Sequence, residues 1–214
     1  MPSVQPALIA DIGGGAYPAV MNILMALRQA EQTGEGCQLD ISMSDNLFPW
    51  MFWALAKKQV TGEDPAAGGE LLSGGSPRFR IYPTADKRHV AVAALEQHFW
   101  INFCNLIDLP EDLRQDQGRE EATGNAVAAI LAGQTAAHWQ ALFEGQDVCC
   151  SVVATLEEAL AHPHFQARGL FSRRVGLPDG ALDALPVPLA PALRDDRGLR
   201  ESPVLGNGNR LVSN

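Results

Sequence analysis

Ala10-Asp11-Ile12-Gly13-Gly14-Gly15-Ala16 is the stretch on which the reading of this chain turns. A carboxylate leads three glycines into a helix-patterned run, and glycine lets a backbone approach a ligand closely. Leu8-Ile9-Ala10 reads as a short strand entering the turn. Beyond it, Val20, Ile23, Leu24 and Leu27 recur at i, i+3, i+4 and i+7. That spacing predicts an amphipathic helix, stopped by Gly34 and Gly36. Cys37, Leu39, Ile41 and Met43 then alternate with polar residues, the pattern of a half-buried strand. Gly13-Gly14-Gly15 has neither the dinucleotide-binding spacing nor a phosphate-loop lysine, so the glycines alone do not make a nucleotide site.

Outward from this stretch, 214 residues are enough for one sizeable core, and 46% hydrophobic with 19% charged residues is ordinary for a soluble globular chain. A net charge of −9 argues against a general binder of nucleic acid or anionic membranes. No apolar run reaches the roughly 20 residues of a membrane span. The first residues lack the basic and apolar regions of a signal peptide, so a cytoplasmic setting is expected. Cys37, Cys104, Cys149 and Cys150 show no metal-ligand or redox spacing. The adjacent pair Cys149-Cys150 reads as small buried hydrophobes.

Ser44 or Asp45 can cap a second helix running to about Val60, through the aromatic stretch Phe48–Trp53. Thr61–Pro77, with Gly62, Pro65, Gly68-Gly69 and Gly74-Gly75, reads as loop. A strand pair, Arg78–Pro83 and His89–Ala94, follows around the turn Thr84–Arg88. Helices are expected near Glu96–Leu106, Glu121–Leu131 and Thr135–Glu144, with a strand at Cys149–Ala154. Thr155-Leu156-Glu157-Glu158 is a capping box opening a short helix. After Pro178 the prolines describe an extended arm.

Several residues can carry chemistry. Asp11, complemented by a helix N-terminus, can act as a base toward a carbon acid or as a nucleophile. A plain capping aspartate is the more common use of such a turn. Glu96 ends the strand at Leu95 and can orient a histidine or another base; a first-turn helix glutamate is the alternative. Met51, Phe52 and Trp53 can line an apolar pocket, though core or subunit packing is the commoner use of such residues. Arg78, Arg80, Lys87 and Arg88 can touch phosphates or form a solvated basic edge. The five histidines form no cluster with cysteines or carboxylates, so no metal site is expected.

Read together, these segments resemble the family III CoA-transferases (the CaiB/BaiF-like family), and within them the α-methylacyl-CoA racemase branch. The resemblance is carried by Leu8–Ala16, by Thr33–Asp45, and by Leu72-Ser73-Gly74-Gly75-Ser76-Pro77 with Tyr82. It continues through Val90–Phe99 and through Asp147–Val153 with Thr155–Ala159 and His162-Pro163-His164. It spans about residues 5 to 175.

The resemblance implies an α+β fold comprising the C-terminal part of the family architecture. Residues 1–43 would be a fragment of the large CoA-binding domain, 44–74 a helical linker and loop, 75–172 a small domain with a mostly antiparallel sheet, and 173–214 a returning arm. Asp11 would be the family's catalytic aspartate and Glu96 the glutamate that pairs with a catalytic histidine. That histidine and most of the large domain are expected upstream of this chain. Gly13, Gly14 and Gly15 would approach the CoA moiety, while Met51, Phe52, Trp53 and Tyr82 would line the acyl site. Arg78 and Arg80 stand where racemases carry Tyr and Asp, and Lys87 replaces the glycine of the usual turn.

The implied reaction inverts C2 of a 2-methylacyl-CoA by two-base proton transfer through an enolate. It needs no cofactor beyond the coenzyme A of the substrate. A homodimer, interlocked as in the family, is the implied assembly. Two alternatives remain open: a CoA-transferase using Asp11 as nucleophile, and a non-catalytic dimerisation module.

Overall fold

The computed structural model describes residues 7–194 and 198–209. By packing, the chain divides into two units, one ending at Val152 and the other beginning at Val153. The break falls inside the span 75–172.

The first unit opens with a wide helical coil, Ile9–Ala16, that runs into α1 (Tyr17–Thr33). The strand expected at Leu8–Ala10 does not form. No strand lies beside it among the described residues, so its backbone groups are satisfied locally: the Ile12 N–H reaches the Leu8 carbonyl at 2.9 Å and the Tyr17 N–H reaches Ile12. Helix α1 ends where the sequence says, with Gly34 in the left-handed conformation at φ 75°. Its apolar stripe is open, with Val20 56% and Leu24 62% exposed.

Residues 35–42 alternate as a strand should but have no ladder partner among the described residues, and they run as irregular chain. Ser42, rather than Ser44 or Asp45, is the cap of α2 (Met43–Leu47), and its hydroxyl accepts the Asp45 N–H at 3.3 Å. Pro49 cannot donate to a helix ladder, and the chain tightens into a 3₁₀ turn over Phe48–Met51 before α3 (Phe52–Thr61). The expected loop 61–77 contains a helical turn, Leu71–Gly75, closed by a reciprocal capping box between Glu70 and Ser73.

The core of this unit lies under a three-stranded antiparallel sheet in the order β1 (Phe79–Pro83), β2 (His89–Ala93), β3 (Cys150–Val152). Tyr82 faces Val90, and Val92 faces Cys150. Helices α4 (Gln97–Leu106), α5 (Glu111–Arg114), α6 (Glu120–Leu131) and α7 (Ala136–Phe143) complete it. Trp100 and Trp139 are almost fully buried, and each indole N–H finds a carbonyl, Arg114 at 2.8 Å and Leu131 at 2.9 Å. Large aromatic groups can thus be buried without orphaning a donor.

Arg80 and Tyr82 point to one face of β1 by the two-residue period, that face is the packed one, and Arg78 just before the strand is half-buried too. Arg80 donates to the Gly74 and Gly75 carbonyls at 2.6 and 3.3 Å and lies across Gly124 of α6. A β-carbon at Gly124 would stand 2.5 Å from the Arg80 guanidinium and would push it aside. Neither arginine belongs to a solvated basic edge, because each is committed to partners inside the unit. Cys149 also departs from expectation: it is exposed, with φ 51°, while Cys150 is half-buried against the core.

The second unit holds α8 (Leu156–Ala161), opened by the expected Thr155–Glu158 capping box, and α9 (Pro163–Ala167), capped by the His162 ring. The expected extended arm is a sheet instead, in the order β5 (Gly180–Asp183), β4 (Arg174–Leu177), β6 (Leu199–Glu201). Pro178-Asp179 forms the two-residue turn, and Gly180 at φ 151° supplies a backbone that other residues avoid. The fold is α+β, as expected.

Candidate active site

Asp11 sits in the first turn of the Ile9–Ala16 coil and is exposed. Among the described residues its carboxylate accepts no hydrogen bond and meets no cation. The glycines that follow do accept close neighbours. A β-carbon at Gly13 would meet the Trp50 ring at 2.7 Å, and one at Gly14 would meet the Met43 carbonyl oxygen at 2.6 Å. The Asn46 side chain donates to the Gly14 carbonyl at 2.9 Å and pins the turn. The three glycines therefore serve first to seat the turn on Met43–Met51. Asn46 carries no signal in the sequence that would have singled it out.

Trp50 has a second role. With Met51, Trp53, Val60 and Leu71 it lines an apolar groove of about 600 Å³ between α3 and residues 65–73. Two of the three aromatic-helix residues singled out from sequence, Met51 and Trp53, face this groove. Phe52 packs on Trp53 with ring centroids 4.8 Å apart and lies outside the lining.

The charge in the groove wall is a half-buried pair, Lys57 Nζ to Glu70 Oε1 at 2.7 Å. Glu70 also accepts the Ala66 N–H at 2.7 Å. The bond to Glu70 holds the Lys57 ammonium above its ordinary value. The same bond, then the Ala66 N–H, hold the Glu70 carboxyl below its own.

Glu96 is the N-cap residue of α4, just past the end of β2. It is exposed, and its carbonyl accepts the Trp100 N–H at 3.0 Å. Its carboxylate caps nothing and is unpaired among the described residues. Both neighbours are tethered to Arg78, whose Nη1 reaches Gln97 Oε1 at 2.9 Å and the Leu95 carbonyl at 3.5 Å. No hydrogen bond or ion pair joins Asp11 to Glu96.

Tyr82 requires a correction. It is 1% exposed in the core, and its hydroxyl donates to the Pro77 carbonyl at 2.8 Å. It therefore holds the chain entering β1 and offers no face to a substrate. Among the described residues no group of His, Cys, Asp and Glu is placed to hold a metal, and no helix is long and apolar enough to cross a membrane.

The sequence pattern of CoA-transferase family III matches residues 1–209 of this chain. The chain belongs to that family. Among family relatives it is 30% identical to the human "Alpha-methylacyl-CoA racemase" over 169 residues, 77% of this chain and 44% of that protein. It is 27% identical to the "Acetyl-CoA:oxalate CoA-transferase" of Acetobacter aceti over 177 residues, 79% of this chain and 45% of that protein. The chain thus spans less than half the length of these curated family relatives. A crystal structure of a CAIB/BAIF family protein from Brucella suis matches 99% of this chain and 56% of its own, with a TM-score of 0.68 and 19% identity. That likeness establishes the fold.

Proposed function

We propose that this family III chain is the part of an α-methylacyl-CoA racemase-like enzyme that carries one of its two acid/base groups, Asp11. The observation that carries the reading is Trp50, whose ring packs on Gly13 while also lining the apolar groove. The Asp11 turn and an apolar groove thus share one contact, Trp50, which supports reading Asp11 as a proton-transfer group beside room for an apolar acyl group.

In this reading Asp11 takes the proton from C2 of a 2-methylacyl-CoA. The electron pair moves onto the thioester oxygen as an enolate, and an acid on the opposite face returns a proton to C2. The net result is inversion, with atoms and charge conserved. Gly13–Gly15, seated on Trp50 and Met43, hold the turn against which the CoA thioester would lie. Met51 and Trp53 contact the acyl group, with Phe52 buttressing Trp53. Glu96 positions the opposing base, a histidine supplied from outside these residues. Two proton transfers require no metal and no redox cofactor, only the coenzyme A of the substrate. The working form is a cytoplasmic homodimer.

The test is deuterium exchange at C2 of a 2-methylacyl-CoA in heavy water, catalysed by the full-length form. Asp11→Ala and Glu96→Ala should each reduce it by two or more orders of magnitude, about the share of a positioned acid/base. Exchange that survives both substitutions overturns the assignment. Covalent trapping of an acyl or CoA group on Asp11 would make the chain a transferase instead.

A further inference from the structure

The second unit contains a pocket of about 240 Å³ between the end of α9 and the stretch 186–194. Arg168, Arg173 and Arg194 all line it, and no Asp or Glu does among the described residues. We propose that this pocket binds a phosphate monoester.

Three arginines lining one pocket with no carboxylate among the described residues run against the composition, in which 25 acidic residues outnumber 16 basic ones. Three other arginines meet acids, Arg78 with Asp116 at 2.6 Å, Arg119 with Asp112 at 3.6 Å and Arg174 with Asp183 at 3.6 Å, whereas Arg80 and Arg114 bond backbone carbonyls inside the first unit. Here two of the three guanidinium groups are held by backbone carbonyls. Arg173 Nη2 donates to Leu185 at 2.9 Å, and Arg194 donates through Nε to Leu189 at 2.8 Å and through Nη1 to Arg168 at 3.4 Å.

Those bonds orient two half-buried forks, and most of their five N–H donors each are left for another acceptor. The Arg168 guanidinium makes no bond at all among the described residues. Neutral carbonyls hold the forks in place without cancelling their charge. Planar forks match the oxygens of phosphate in pairs, and three of them suit a dianion better than a single carboxylate. The volume lies below the range of whole-ligand pockets and fits one anionic group with a few waters.

A phosphate monoester reaches this pocket either as inorganic phosphate or as the 3′-phosphate of coenzyme A. The second source rests on the proposed function; the pocket does not. The test is titration of the intact chain with inorganic phosphate at low ionic strength, followed by calorimetry and by phosphorus NMR. Saturable binding is expected. Arg168→Gln, which removes a guanidinium with no structural bond, should weaken it roughly tenfold, the value of one charge-assisted hydrogen bond.

Arg173→Gln should weaken it further, and Arg174→Gln, on the paired arginine next in sequence, should leave it unchanged. Absence of saturable binding, or equal binding by Arg168→Gln and the parent, overturns the proposal. Displacement of phosphate by coenzyme A but not by dephospho-coenzyme A supports the pocket with the nucleotide as source. Phosphate binding that neither displaces supports it with free phosphate as ligand and removes the link to the racemase reading.

Discussion

Arg78 grips Asp116 with a two-pronged contact, Nε to both carboxylate oxygens at 2.9 and 3.0 Å and Nη2 to Oδ1 at 2.6 Å. The guanidinium lies 5.1 Å from the Trp100 ring, and both side chains are mostly shielded, at 16% and 11% exposure. One side chain thus ties the start of β1 to the loop before α6 and to both neighbours of Glu96. Asp116→Ala strands a cation over the indole and should cost about 3 kcal/mol in chemical denaturation, as breaking a shielded pair does. Arg78→Lys keeps the charge but loses the fork, and should recover less than half of that loss. Equal stability of Asp116→Ala and the parent would contradict this picture.

Lys87 occupies the left-handed region at φ 63°, in the turn between β1 and β2. Side chains pay about 1 kcal/mol or more to be there, and glycine does not. Lys87→Gly should raise stability by about 0.5–1 kcal/mol, and Lys87→Ala should not. Thermal melts of the two variants separate the backbone effect from loss of the lysine charge.

Gly14 is closed by the Met43 carbonyl, 2.6 Å from where a β-carbon would stand. Gly14→Ala should displace the Asp11 turn, destabilising the unit by roughly 1–3 kcal/mol as overpacking does and abolishing any C2 exchange. Gly36→Ala, with open space around it and no left-handed backbone, is the matched control and should be neutral.

Burial pushes the Cys104 and Cys150 thiols up to about 12. At pH 8 a thiol reagent should therefore label the exposed Cys37 and Cys149 quickly and the other two slowly. Unfolded thiols titrate near 8.5. Below that pH both states keep their protons and stability does not change on this account. From about pH 9 to about 12 the unfolded chain loses protons first, so stability falls. The raised phenol of Tyr82 adds to the fall above about pH 10. Cys104→Ala should flatten the first part of that slope in denaturant titrations.

Asp86 behaves in the opposite sense. The Thr84 hydroxyl donates to it at 2.5 Å and the Ala136 N–H at 3.1 Å, holding its carboxyl below the ordinary value and joining the hairpin turn to α7. Its contribution is present above the unfolded value near 3.9 and is lost as pH falls through the lower folded one. Asp86→Asn should remove that part of the acid sensitivity, read as a smaller change in denaturation midpoint between pH 5 and pH 2.5.

Much of the small sheet and its helices was legible in the sequence, because β1, β2 and α6 bury one face and that burial is written as a period. Cys37–Met43 shows where this fails. Its alternation is as regular as that of β2, yet up to Ser42 it is irregular chain, since a strand also needs a neighbour to bond. Arg78 and Arg80 read as surface charge because their partners, Asp116 and the Gly74–Gly75 carbonyls, come from other parts of the chain. The glycine turn at Asp11 was legible as a turn and as a family motif, whereas Asn46, which pins it, was not.

By itself the sequence determined the family, the α+β class, the helix end at Gly34 and the capping box at Thr155, since these depend on residue type and local spacing. Only the tertiary structure decided that Trp50 joins the Asp11 turn to an apolar groove, that Tyr82 is core, and that Arg168, Arg173 and Arg194 line one pocket. Each of those depends on contacts between segments whose separation along the chain carries no period, so only packing brings them together.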